Sequence, residues 1–121
     1  MRNSGMRVFQ MQRLSAIALL FFLTIHMIVV HYPPFHINFT RILVRLEQPL
    51  WKAIDIAFLL VVLVHALAGA YVVLTDVERF DRYRRALAII ALVLGVVAFI
   101  YGAQTIIAFR LPAEAAAGLV P

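Results

Sequence analysis

Cysteine is absent from this 121-residue chain. That excludes disulfides, thiolate zinc sites, iron–sulfur ligation and a cysteine nucleophile. Charge is scarce as well. Asp, Glu, Lys and Arg make up 14% of the residues, where a soluble domain carries about 25%. Lysine is almost missing, since ten of the eleven basic residues are arginine. There is no internal repeat and no shift of composition that would mark a second domain. What fills the chain is apolar: 64% hydrophobic residues and a mean hydropathy of +0.96. A chain this apolar and this poorly charged is not a soluble domain. Its formal charge of +5 sits on arginines spread between apolar runs, which points to membrane topology rather than nucleic-acid binding.

Three long apolar runs organise the sequence. Leu14–Val30 is interrupted only by Ser15, Thr24 and His26, Ile56–Leu74 holds His65, and Ala86–Phe109 holds Tyr101, Gln104 and Thr105. A bilayer core about 30 Å thick requires roughly 20 apolar residues in a helix. Inside lipid each segment must satisfy its own backbone, so each run is expected to be helical. The pattern therefore predicts an all-α membrane protein with one membrane-anchor domain over 1–121. Its transmembrane helices fall at about 11–31, 53–75 and 85–109. The first run is longer than a signal-peptide core and no small-x-small cleavage site follows it, so it is expected to stay in the mature protein.

The flanking arginines set the expected orientation. Arg2, Arg7 and Arg13 precede the first run, and Arg79, Arg82, Arg84 and Arg85 lie between the second and third. The opposite side carries Arg41, Arg45, Lys52 and Arg110. This bias predicts a multi-pass protein of the cytoplasmic (inner) membrane, with the N-terminus cytoplasmic and the C-terminus outside. In the first loop, Tyr32-Pro33-Pro34 breaks the helix. Phe39, Ile42, Leu43 and Leu46 then recur at helical spacing, with Arg41, Arg45 and Glu47 elsewhere around the turn and Pro49 at the end. This predicts a short amphipathic helix over about 38–48 lying in the interface, anchored by Trp51. The alanine-rich tail Pro112–Pro121 is expected to be frayed.

The chemistry must lie inside the membrane. His31 and His36 flank the Pro-Pro break and read as interfacial loop residues. His26 and His65 fall within apolar spans, where an ionisable residue is costly and is a functional hypothesis by default. Each could instead bond a carbonyl of a neighbouring helix. Gly69 stands one turn from His65 on the same face. It either opens room for a flat ligand or lets another helix approach. Asp76 ends the same stripe. Ser15, Leu19 and Phe22 share the face of His26. A bis-imidazole haem suits buried histidines with no thiolate or acid beside them, whereas zinc would need three or four clustered ligands. Helix arithmetic puts both histidines near mid-membrane and leaves one shared haem or two separate haems open. Arg13 either snorkels to the cytoplasmic boundary or pairs with a haem propionate through its guanidinium.

These residues resemble a known family. The stretch from His65 through Gly69 to Asp76 is similar to the haem-ligand segment of the hydrophobic, D-type, cytochrome b-containing membrane anchors of succinate dehydrogenase (succinate:quinone oxidoreductase, respiratory complex II). So are Arg13-Leu-Ser15 with its run to His26-Met27, and Pro49-Leu-Trp51-Lys-Ala-Ile-Asp55. The resemblance covers about residues 11–109. It implies a non-catalytic subunit with no succinate chemistry of its own. Its partners would be a flavoprotein, an iron–sulfur subunit, a second anchor and the lipid bilayer, with no nucleic acid. Haem b, two per complex, would be held between the two anchors. His26 and His65 would be axial ligands of the iron, with Gly69 and Arg13 beside the cofactor. By the same resemblance His65 would serve the haem nearer the iron–sulfur subunit and His26 the farther one. Quinone or menaquinone would be the substrate, with Ser15 and Asp76 nearest to it. Where relatives place a quinone-binding tyrosine after the aspartate, this chain has Val77, which shifts quinone contact toward the partner subunits. A menaquinol-oxidising fumarate reductase would use the same architecture. The rival class is a haem-free membrane assembly or structural protein whose histidines only pack.

Overall fold

The computed structural model describes residues 2–31 and 38–117. It contains six helices among them: α1 (Arg2–His31), α2 (Phe39–Glu47), α3 (Pro49–Asp76), α4 (Glu78–Asp81), α5 (Arg84–Ala108) and α6 (Ala113–Ala117). Three are long and apolar enough to cross a membrane: α1 from Gly5 onward, α3 and α5. The chain is an all-α membrane protein, as the hydropathy pattern predicts. α1 starts well before the apolar run, at Arg2. The Tyr32-Pro33-Pro34 break and His36 lie outside the described residues. His31 is the exposed last residue of α1.

α2 is built as its periodicity implies. Asn38 caps it, its side-chain Oδ1 accepting from the Thr40 N–H at 2.9 Å, which satisfies one of the free amides at the helix start. Leu43 is buried and Arg41 exposed. Pro49 does more than stop α2. It opens α3 one residue after Gln48, a position where the missing N–H costs nothing. The corner is tied by Arg45, whose Nη2 donates to Asp55 Oδ2 at 3.5 Å and whose guanidinium lies 5.4 Å from the Trp51 ring centroid.

α3 is the middle helix, packed on α1 along one side and on α5 along the other. The α3–α5 seam is a fit of large side chains into glycine recesses. A Cβ added at Gly95 would meet Leu67 Cδ1 at 2.8 Å, and one at Gly102 would meet Leu59 Cδ2 at 2.6 Å. Small residues let helices approach where lipid gives no hydrophobic drive toward association. At the far end of this seam Lys52 is buried. Its Nζ donates to the carbonyls of Phe109 at 2.8 Å and Ile107 at 3.3 Å. A cation at the end of α5 satisfies otherwise unpaired carbonyls and matches the negative end of the helix dipole.

On the basic side Asp81 pairs with Arg84, and Arg79, Arg82, Arg84 and Arg85 are all exposed. The start of the tail is a short helix, α6, rather than frayed chain: Ala113–Ala117 is alanine and glutamate, both strong helix formers. Among the described residues few apolar side chains are buried, and α5 has no buried residue. An apolar groove of about 470 Å³ runs between α1, α3 and α5, lined by residues such as Met11, Leu63, Leu67, Gly95 and Phe99. Neither His26 nor His65 lines it.

Candidate functional site

Four polar side chains of the spans, Gln12, Ser15, His26 and His65, lie in the α1–α3 seam. On α1, Gln12, Ser15, Phe22 and His26 share one face, being spaced by three, seven and four residues. On α3, Phe58, His65 and Gly69 face them. The helices run antiparallel, so Gln12 meets Gly69, Ser15 meets His65, and His26 meets Phe58. The seam has a polar half and an aromatic half.

In the polar half, Ser15 is 7% exposed. Its Oγ donates to the Gln12 carbonyl at 3.0 Å and stands 3.2 Å from His65 Nδ1. Gln12 lays its amide over Gly69: a Cβ there would lie 3.0 Å from Gln12 Nε2. The room that Gly69 opens is therefore filled by a side chain of α1. Gln12 Oε1 is buried and has no hydrogen-bond partner among the described residues.

In the aromatic half, the His26 ring lies 5.3 Å from the Phe58 ring, centroid to centroid, and Phe58 stacks on Phe22 at 6.3 Å. His26 Nδ1 is buried and makes no hydrogen bond among the described residues. An unbonded polar atom inside an apolar span costs free energy, so this nitrogen is a position where a further group would be stabilising.

The two imidazoles stand at different depths. Phe58, whose ring meets that of His26, is seven residues from His65 on α3, a rise of about 10 Å. On α1, Ser15 and His26 are eleven residues apart, a rise of about 16 Å. His26 and His65 therefore stand apart along the seam and do not converge on one point in this arrangement. Each histidine contributes a single imidazole, and no group of three or more His, Cys, Asp or Glu gathers among the described residues.

The other expected residues fall elsewhere. Arg13 sits two positions from Ser15, on the opposite side of α1, and places its guanidinium 5.6 Å from the Phe9 ring. It is exposed and is not brought to His65. Asp76 is the exposed last residue of α3. Sequence reading missed Gln12, Phe58 and Lys52 as members of the design. A signal existed for the first two: Gln12 precedes Ser15 by three residues and Phe58 precedes His65 by seven, so each shares its partner's helix face.

This geometry defines a polytopic membrane protein with two separated intramembrane imidazoles in one helix seam. The particular family follows from comparison. Residues 1–102 match the model of the succinate dehydrogenase/fumarate reductase transmembrane subunit family, and the chain belongs to that family. It is similar to the succinate dehydrogenase hydrophobic membrane anchor subunit of Thermoplasma acidophilum, at 29% identity over 93 residues, covering 75% of this chain and 76% of that protein. No solved structure matches the chain. As a membrane anchor of this family, it works in association with other subunits of such a complex.

Proposed function

We propose that this chain is one of two membrane anchors of a succinate:quinone oxidoreductase, and that His26 and His65 are axial ligands of two haems b, each shared with a histidine of the partner anchor. The observation that carries this reading is the separation of the two imidazoles in depth, each left with a nitrogen that no described residue of this chain engages. The donor chemistry fits: imidazole in an apolar span with no thiolate or acid beside it suits haem iron. His26 has an orphaned Nδ1, and His65 engages α1 through Nδ1 alone. Haem b, when bound, supplies a one-electron relay within the membrane.

The chain's own residues do the holding. The α1–α3 seam orients both rings, and the open flanks of α1, α3 and α5 are available to the second anchor. Asp76, exposed at the end of α3, lies on the side of the arginine-rich segment, where an iron–sulfur subunit and quinone would meet the membrane. On this reading the N-terminus is cytoplasmic, the C-terminus is outside, and the complex passes electrons from the iron–sulfur subunit to quinone. Arg13 on Phe9 is read as a boundary residue that snorkels. The family includes fumarate reductases, but the name of the Thermoplasma acidophilum relative favours succinate oxidation.

The test is a reduced-minus-oxidised spectrum of the complex purified through a tag on this chain. A haem b band and co-purifying flavoprotein and iron–sulfur subunits are expected. A complex with both soluble subunits and no haem would overturn the ligand assignments, and a stable haem-free chain without partners would overturn the anchor reading itself.

A further inference from the structure

We propose that Ser15 is the positioning residue of His65: it holds the imidazole in its Nδ1–H form and leaves the Nε2 lone pair for the haem iron. The proposal rests on the haem reading above. It turns on the count of protons at one hydroxyl. A serine hydroxyl has a single proton. Ser15 Oγ gives it to the carbonyl of Gln12, at 3.0 Å. Only lone pairs then remain toward His65 Nδ1, 3.2 Å away. That bond closes when Nδ1 carries the proton and donates it. A neutral imidazole protonated on Nδ1 bears no proton on Nε2, and a bare ring nitrogen is the form a metal binds. The chain Gln12 carbonyl, Ser15 hydroxyl, His65 ring thus selects the tautomer from inside the seam.

Two further features make the selection firm. Ser15 is buried, so water does not compete for its oxygen. The neighbouring turn is locked as well: the missing Cβ at Gly69 admits the Gln12 amide, which a larger residue would displace. Ser15–His65 and Gln12–Gly69 are two contacts one helical turn apart, and together they fix the rotation and register of α1 against α3. An accepted hydrogen bond at Nδ1–H also raises the basicity of the ligating nitrogen, and outer partners of this kind are worth about 10–100-fold in metal affinity. A more basic ligand favours the ferric state.

The experiment uses the assembled complex carrying Ser15→Ala, Ser15→Thr, Ser15→Val or His65→Ala. Three quantities are read: haem per complex with its retention against an apo-haem acceptor, the haem midpoint potential, and the largest g value of the ferric low-spin signal. Ser15→Ala is expected to keep the subunits together, weaken haem retention about tenfold or more, raise the midpoint potential and move the g value. Thr and Val have nearly the same shape and differ in the hydroxyl. Ser15→Thr should therefore keep the parental signals while Ser15→Val shifts them, a comparison that also holds if the alanine variant assembles poorly. Identical behaviour of Thr and Val, or an unchanged potential and g value in Ser15→Ala, overturns the role of Ser15 while His65→Ala still removes its haem. Unchanged haem in His65→Ala overturns the haem reading instead, so the two failures are told apart.

Discussion

The two seams of α3 are built on different principles. Toward α5 the contact is steric: Leu67 enters the recess at Gly95, Leu59 enters the one at Gly102, and the only charge is Lys52 at the very end, on the carbonyls of Ile107 and Phe109. Toward α1 the contact carries Gln12, Ser15, His65 and His26, and two buried side-chain atoms there, Gln12 Oε1 and His26 Nδ1, have no partner among the described residues. Packing alone explains the first seam. The second accepts unpaired polar atoms in an apolar medium, which packing would avoid. One side of α3 is thus a steric fit, and the other gathers polar side chains.

The largest effects are expected at the histidines. His65→Ala is expected to remove one haem b from the assembled complex, and His26→Ala to remove the other while sparing the first. Haem quantitation per complex checks both. Loss of all haem in each variant would return the seam to a single shared site.

The α3–α5 seam should respond in stability and not in spectrum. Lys52→Met keeps the aliphatic stem but leaves the end of α5 with unpaired carbonyls. A cost of about 1.5–3 kcal/mol is expected, the usual worth of hydrogen bonds to a charged group. It would be read as a lower thermal midpoint of the complex with an unaltered haem band.

Gly95→Ala is a gentler probe. The added Cβ would press on Leu67 Cδ1, the end of a flexible side chain, so a loss of about 1 kcal/mol is expected, at the lower end of overpacking effects. Combining it with Leu67→Val should recover most of that loss in the same thermal scan.

The smallest effect is expected at Arg13. Its side chain is exposed and rests on Phe9. Arg13→Gln should leave the haem midpoint potential unchanged and shift the melting curve less than any variant above. A changed potential would place its guanidinium on a propionate after all.

Much of the architecture was legible along the chain. His26 and His65 stood out because an ionisable residue in an apolar run is conspicuous. α2 was readable because Phe39, Ile42, Leu43 and Leu46 repeat at helical spacing. Lys52 was not readable as a cap: its partners at 107 and 109 are more than fifty residues away and belong to another helix. Gly69 was read as room for a ligand or a helix. Its recess is in fact taken by Gln12, a residue that looked like the mere edge of a span.

The sequence by itself determined three membrane helices, an amphipathic helix between the first two, and two histidines inside the hydrocarbon. Those features follow from local periodicity and from a bilayer that forces every backbone group into its own helix. Only the tertiary structure decided that Ser15 meets His65, that Gln12 closes on Gly69, and that His26 packs on Phe58 away from His65. Those pairings depend on how each helix is rotated and slid against its neighbour. In lipid no hydrophobic gradient sets that rotation. It is set by small residues, large residues and a few hydrogen bonds meeting across the seam.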